Sequence, residues 1–312
     1  MVSIIIPVYN GSNFLREAIN SALSQTYSNC EILVINDGSN DDGRTEKIAK
    51  SFDGKIRYFS KANGGVSSAL NLGIESMRGE YFSWLSHDDV YLPRKVETQI
   101  EALERLKDKN TLSLCAHTLA NESLKKLTRQ PKNRLRDNQV LSGKESLDLL
   151  FKRGTFNGCA LLLPKRVFDV CGLFDETLRF NQDSYMWYKI FLSGFNLVYT
   201  PYQGVMQRTH SAQLTQTGQS TFRADCIYIS AYLLPQLLEA GCESRSLLYW
   251  YTIYHAKHNI AEVVRVALAS GKQSGLFGAK EIAAILSVMT YGKIRPLIKR
   301  VYYYALLGRR PA

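Results

Sequence analysis

Four short apolar runs, Val2–Ile6, Ile32–Ile35, Ile56–Phe59 and Tyr81–Leu85, alternate with stretches of helical spacing over the first hundred residues. Strands alternating with helices at this interval predict a parallel, doubly wound sheet with right-handed crossovers. The first run is almost continuously apolar, as a strand covered on both faces must be, and Pro7 is expected to break it into a loop. Helical spacing then links Phe14, Leu15, Ala18, Ile19, Ala22 and Leu23, and later Leu70, Ile74 and Met77. A further helix, opened by Pro93, carries Val96, Ile100, Leu103 and Leu106 on one face. Arg94, Lys95, Glu97, Glu101 and Glu104 are expected off that face.

Three of these strands end in polar residues on what must be one edge of the sheet: Tyr9 and Asn10, then Asp37, then Asp88 and Asp89. Ligands of open α/β sheets bind beyond the carboxyl ends of the strands, which makes the coincidence a functional signal. Hard oxygen ligands there suit Mg2+ or Mn2+ carrying a substrate's phosphates. Taken singly, each motif also has a plain structural reading. Asp37-Gly38 is common turn chemistry, and Asp88-Asp89 can simply start a turn and cap the next helix. Asn63-Gly64-Gly65 lacks the GxGxxG spacing of a dinucleotide loop but can bring backbone N–H groups near a phosphate.

The chain has 312 residues, of which 45% are hydrophobic, enough to bury one large core or two modest ones. Its six cysteines show no CxxC spacing, which argues against structural zinc and for free thiols in a reducing cytoplasm. No signal-like or membrane-spanning apolar stretch is visible, so a cytoplasmic protein, soluble or peripheral on the inner membrane face, is expected. A formal charge of +11 favours acidic partners: nucleotide phosphates, anionic lipid or nucleic acid.

In order and spacing, Val2-Ser3-Ile4-Ile5-Ile6-Pro7-Val8-Tyr9-Asn10, Ile35-Asn36-Asp37-Gly38-Ser39, Asn63-Gly64-Gly65-Val66 and the Asp88-Asp89 strand end resemble the family 2 glycosyltransferases of bacterial cell-surface polysaccharide type. The resemblance implies the GT-A fold, a nucleoside-diphosphate-sugar donor, a divalent cation (Mn2+ or Mg2+) and inversion at the anomeric carbon. Carried over, Pro7, Tyr9, Asn10 and Asp37 hold the nucleotide, with Asn63 and Gly64 beside it. Asp88 matches the last acid of the family's DXD signature, with Asp89 as second choice for the cation. The first acid of that signature is Ser86 in this chain.

Further on, Thr111–Thr118 alternates as a half-buried strand would. A basic stretch follows, with Lys125, Lys126, Arg129, Lys132, Arg134 and Arg136 against Glu122 and Asp137; it is either a solvated loop or a contact for an anionic acceptor. Ser142 and Glu145 have capping-box spacing before a helix, and Asn157–Pro164 reads as a buried strand entered through Gly158. Leu197–Tyr199 is a short strand, Pro201 a turn, and Gln207-Arg208-Thr209-His210 a loop. Asp183, placed just before a helix bearing Trp187, Ile190 and Phe191, has the position of an N-cap. By resemblance it is instead the general base, the second member of an acidic pair whose first member here is Gln182. Asn157, Gly158 and Gln182 then lie on the donor-sugar and acceptor side, and His210 approaches the cation. His255 and His258 read as packing residues.

From Thr221 the pattern is helical, giving a GT-A domain over residues 1–220 (nucleotide-binding half 1–110, acceptor-side half 111–220) and a basic helical extension over 221–312. Lys293, Arg295, Lys299, Arg300, Arg309 and Arg310, interleaved with tyrosines and leucines, suit an anionic membrane surface or a basic face packed on the domain or on a second subunit. Nucleic acid is disfavoured because no recognised binding module accompanies the charge. The expected activity is transfer of a sugar from a UDP-sugar to a hydroxyl of a glycan or lipid-linked glycan. The competing reading is a non-catalytic nucleotide-sugar-binding or scaffolding protein on the same fold, suggested by Ser86 and Gln182 standing in place of acids.

Overall fold

The structure, a computed structural model, describes residues 1–127, 135–210, 219–239, 245–258 and 260–288. Arg129, Lys132 and Arg134 of the basic stretch, and the C-terminal segment from Lys293 to Arg310, lie outside the described residues.

Strands β1 (Val2–Val8), β2 (Cys30–Asp37), β3 (Arg57–Lys61) and β4 (Tyr81–Trp84) pair in parallel in the order β3-β2-β1-β4. Helices α1 (Leu15–Leu23), α2 (Arg44–Lys50) and α3 (Val66–Ser76) form the crossovers. Pro7 does not break β1, as expected from sequence, but lies within it opposite Ile35. The reason is positional. Ile5 turns its carbonyl towards β4, accepting Leu85 N–H at 3.0 Å, and Pro7, two residues on, points the same way. The pairing of β4 with β1 has already ended at Trp84, so the missing proline N–H costs no ladder bond.

The sheet is then extended by β5 (Val90–Tyr91), β6 (Thr111–Ala120), β7 (Val140–Leu141), β8 (Leu161–Pro164) and β9 (Asn196–Arg208). The order is β3-β2-β1-β4-β8-β6-β9-β5, with β7 beside β9. Strand β8 is antiparallel to both β4 and β6, so the doubly wound half is parallel and the whole sheet mixed. Around it lie α4 (Lys95–Leu106), α6 (Arg166–Cys171) and α7 (Gln182–Leu192), while α5 (Gly143–Arg153) carries the chain from the first compact unit into the second.

Three local expectations are corrected. Strand β6 is buried from Thr111 to Ala116 on both faces, because its Ser and Cys positions are small enough to pack in the core. Strand β9 runs through Pro201 rather than stopping there; shifts of register against Cys115 and Ala116 absorb Pro201 and Tyr202 as bulges. Lys95 is fully buried, with Nζ donating to Ser83 Oγ (2.6 Å) and the Leu161 carbonyl (3.2 Å) and lying 4.3 Å from the Tyr91 ring centre.

The chain divides into two compact units, Met1–Ser146 with Phe156–Gln219, and Leu147–Thr155 with Ser220–Ala312. The second is helical where described, with α8 (Gln219–Glu239), α9 (Arg245–Lys257), α10 (Ala261–Gln273) and helical residues 279–288. Leu233, Leu248, Tyr251 and Val264 are core residues there, and the buried His255 packs on the Tyr251 ring at 4.4 Å. No helix among the described residues is long and apolar enough to cross a membrane.

Candidate active site

The first unit carries every candidate residue, and the strand ends bring most of them to one edge. Val8 closes β1, and Asn10 follows in the left-handed region at φ 49°, a conformation asparagine tolerates. Its amide is engaged: Nδ2 donates to Asn40 Oδ1 (2.7 Å) and Oδ1 accepts Asn40 N–H (2.8 Å), which ties the loop after β1 to the loop after β2. Tyr9 stays exposed beside this pair, with its hydroxyl 3.4 Å from Asn40 Oδ1. Pro7 is buried within β1.

At the end of β2, Asp37 is buried and its carboxylate organises the glycine loop. Oδ1 accepts Lys61 Nζ (2.9 Å) and Gly64 N–H (3.0 Å), Oδ2 accepts Gly65 N–H (2.7 Å), and Asn63 Nδ2 donates to the Asp37 carbonyl (2.9 Å). Close approach demands glycine at 38: a Cβ there would stand 2.6 Å from Asn63 N, and its φ is +69°. Lys61 was not singled out in the sequence. Its signal is a lysine at the end of β3, where the parallel register sets it opposite Asp37.

The third strand end holds the acids. Asp88 Oδ2 lies 3.1 Å from His210 Nε2, although 122 residues separate them in sequence. Asp89 points elsewhere: it is 5% exposed and its Oδ1 accepts the Arg208 N–H at 2.9 Å. Burial, and next the neighbouring Asp88 charge, push its carboxyl well above the usual range, against the pull of Arg208 N–H and the Cys159 thiol. Ser86, in place of the first acid, donates its N–H to Cys159 Sγ (3.3 Å). His87 packs over Gly11, where an added Cβ would come within 2.5 Å of the ring, and burial lowers its pKa.

On the other side, Asn157 Oδ1 accepts Cys159 N–H (2.8 Å) and so caps a short 3-10 turn, Gly158–Ala160, that leads into β8. Gly158 is required by the indole of Trp84, 2.6 Å from where a Cβ would be. Helix α7 starts two residues earlier than expected, so Asp183 lies inside its first turn and Asn181 takes the cap position. Burial pushes the Asp183 carboxyl up to about 6, while the Ser184 N–H (2.6 Å) and hydroxyl (3.3 Å) pull it down. Beside it, Gln182 is buried with no partner for Oε1 among the described residues. The loop before α7 reaches the nucleotide-side edge through Arg179, whose Nη1 lies 3.0 Å from the position of a Cβ on Gly65.

Among the described residues, no third His, Cys, Asp or Glu joins Asp88 and His210 in a set large enough to hold a metal alone. One carboxylate oxygen and one imidazole nitrogen facing each other do fit a divalent cation that takes its other ligands from a diphosphate and water, and the nitrogen suits Mn2+ better than Mg2+.

The fold is shared with S. aureus TarS, solved in complex with UDP-GlcNAc: TM-score 0.64 at 15% identity, covering 81% of this chain and 72% of that one. It is the GT-A fold. The glycosyl transferase family 2 profile matches residues 3–167, and the chain belongs to that family. A Rickettsia prowazekii (strain Madrid E) protein named an uncharacterized glycosyltransferase is 46% identical over 321 residues, 99% of this chain and 98% of its own length. Another from Rickettsia bellii (strain RML369-C) is 52% identical over 193 residues, 61% of this chain but 27% of its own length. This chain therefore spans only about a quarter to a third of several longer relatives.

Proposed function

We propose that the chain is an inverting glycosyltransferase that moves a sugar from a UDP-sugar to a hydroxyl of a glycan or lipid-linked glycan. The observation that carries this reading is the meeting of two elements at one sheet edge: the Asp37–Gly64–Gly65 loop and the Asp88–His210 pair. Tyr9, exposed at the mouth of the first, is available to stack on a base, with Pro7 and Asn10 supporting its loop and Asn63 fixing the glycines. Asp88 and His210 would hold Mn2+ or Mg2+, which when bound neutralises a leaving diphosphate as a Lewis acid. Asp89, turned into the core, supports the strand end instead. Asp183 accepts the proton of the attacking hydroxyl, and Gln182, with an unused acceptor oxygen, is suited to a sugar hydroxyl or amide. The UDP-GlcNAc complex of TarS supports a UDP-linked donor on this fold.

We assign this chemistry to residues 1–220 and a docking role to residues 221–312. The exposed side chains of α8, Ile227, Tyr228 and Tyr232, support a membrane-facing extension, since tyrosines and aliphatic groups partition to the lipid interface. The decisive measurement for the site is calorimetric. UDP binding should strengthen on adding Mn2+, and Asp88→Ala should abolish that gain. An unchanged gain places the cation elsewhere. Screening UDP-sugars by thermal shift and then by product mass separates the enzyme from a binding protein, which would bind donor and form no product.

A further inference from the structure

Arg208, the last residue of β9, is 1% exposed, and its guanidinium ties the acidic strand end to two neighbouring segments. Nε donates to the Asp88 carbonyl (2.7 Å), Nη2 to Glu17 Oε2 on α1 (2.8 Å) and Nη1 to the Glu122 carbonyl, while the plane lies 4.2 Å from the Phe14 ring centre. Its backbone N–H holds Asp89 Oδ1 (2.9 Å). The register explains the meeting: β5 is antiparallel to β9 with Val90 facing Met206, and continuing that ladder sets Asp88 opposite Arg208. His210, two residues past Arg208, rests on the same Phe14 ring (5.3 Å) and meets Asp88 Oδ2.

For a buried guanidinium, desolvation of the charge commonly offsets much of the Coulombic return, so such a residue is weak evidence of added stability. What the arrangement supplies is geometry. It locks the backbone of Asp88 at one end of a two-residue span and the chain bearing His210 at the other. We propose that Arg208 is a positioning residue that sets the Asp88 carboxylate and the His210 imidazole face to face for one cation. This rests on the reading of that pair as a cation site. Lysine cannot replace the fork, since an ammonium has no planar set of donors to span Asp88, Glu122 and Glu17 together.

Arg208→Lys and Glu17→Gln test the role; Glu17 is half exposed, so its variant keeps the fold. Two readouts are taken on each. In amide hydrogen exchange, the segment 84–91 should exchange faster in Arg208→Lys while the β1 segment 2–8 is unchanged, as local rather than global opening requires. In calorimetry, the gain in UDP affinity on adding Mn2+ should fall about 10-fold or more, the scale seen when a group orienting a metal ligand is lost, with Mn2+-free UDP binding unaltered. Glu17→Gln should shift both readouts in the same direction by a smaller factor. Unchanged exchange at 84–91, or equal acceleration in both segments, overturns the proposal and leaves Arg208 a general stabiliser. Should Arg208→Lys not fold, Glu17→Gln decides alone, and no change in either readout overturns it. If the wild-type protein shows no Mn2+ gain, the cation reading fails, while the exchange result still decides whether Arg208 positions Asp88.

Discussion

The base role proposed for Asp183 and the effect of its carboxyl on stability can be tested with one substitution. Its carboxyl is raised from the usual carboxylate range to about 6, chiefly by burial. The folded state therefore binds its proton more tightly than the unfolded chain, and that stabilisation, complete below the unfolded value of about 4, is lost as pH rises through about 6. At neutral pH the group is ionised, poised as a base, and destabilising. Asp183→Asn should thus raise the melting temperature at pH 7.5, with the advantage gone below about pH 4. The same variant should bind UDP with Mn2+ normally and lose transfer by about 100-fold to 10,000-fold, the usual worth of a general base. Near-normal turnover with a verified acceptor would end the assignment. Wild-type transfer should itself climb with pH through about 6 as the carboxylate forms.

At the scale of elements, the buried face of α4 is wider than its hydrophobic stripe. Lys95 and Gln99 are both fully buried: Gln99 Nε2 donates to the Ser113 and Ala160 carbonyls (3.0 Å each), and Lys95 to Ser83 and Leu161. Burial depresses the Lys95 pKa to about 8. Between that value and about 10.4, its value in an unfolded chain, the unfolded state binds the proton better, so stability contributed at this site rises with pH across the window. Lys95→Met removes the buried charge at the cost of the hydrogen bonds donated to Ser83, Tyr91 and the Leu161 carbonyl. Urea unfolding should find the variant at least as stable as wild type at pH 7, with wild type gaining on it by pH 10. The raised thiols Cys115 and Cys159 are common to both proteins and so largely cancel in the comparison. A constant difference across that range would show that Lys95 keeps its proton in the fold as firmly as in the unfolded chain, with no depression of its pKa.

For the whole molecule, the excess of 39 Lys and Arg over 28 Asp and Glu is the dominant long-range feature. If residues 293–312 supply the membrane contact, their deletion should abolish sedimentation with anionic vesicles at low salt while UDP affinity holds, and binding by the intact chain should weaken as salt screens it. Equal vesicle binding by the shortened chain would refute this role. Homo-oligomer formation, the other use expected of that basic face, would appear in the same preparation as a change of mass on deletion.

Strand ends were legible in the sequence because parallel strands buried on both faces are nearly pure apolar runs, and the polar residue that stops each run marks the edge where ligands bind. Tyr9, Asn10, Asp37, Asp88 and Asp89 could be picked out on that ground, Asn63 and Gly64 as a glycine motif opening a helix, and the family resemblance added Asp183 and His210. The extension of β1 through Pro7, the burial of Lys95 and the course of β9 through Pro201 could not be read this way. The two prolines depend on where a neighbouring strand stops or shifts register, and Lys95 on acceptors that β4 and β8 bring to its ammonium, properties of the tertiary arrangement rather than of the local residues. Arg208 is the fullest case. Nothing within ten residues of it distinguishes it from a loop arginine. Only the β5–β9 ladder, closing a separation of 120 residues, brings its guanidinium to Asp88. Local pattern determines which segments are strands and helices; long-range register, set by side chains packing in three dimensions, decides which polar groups meet.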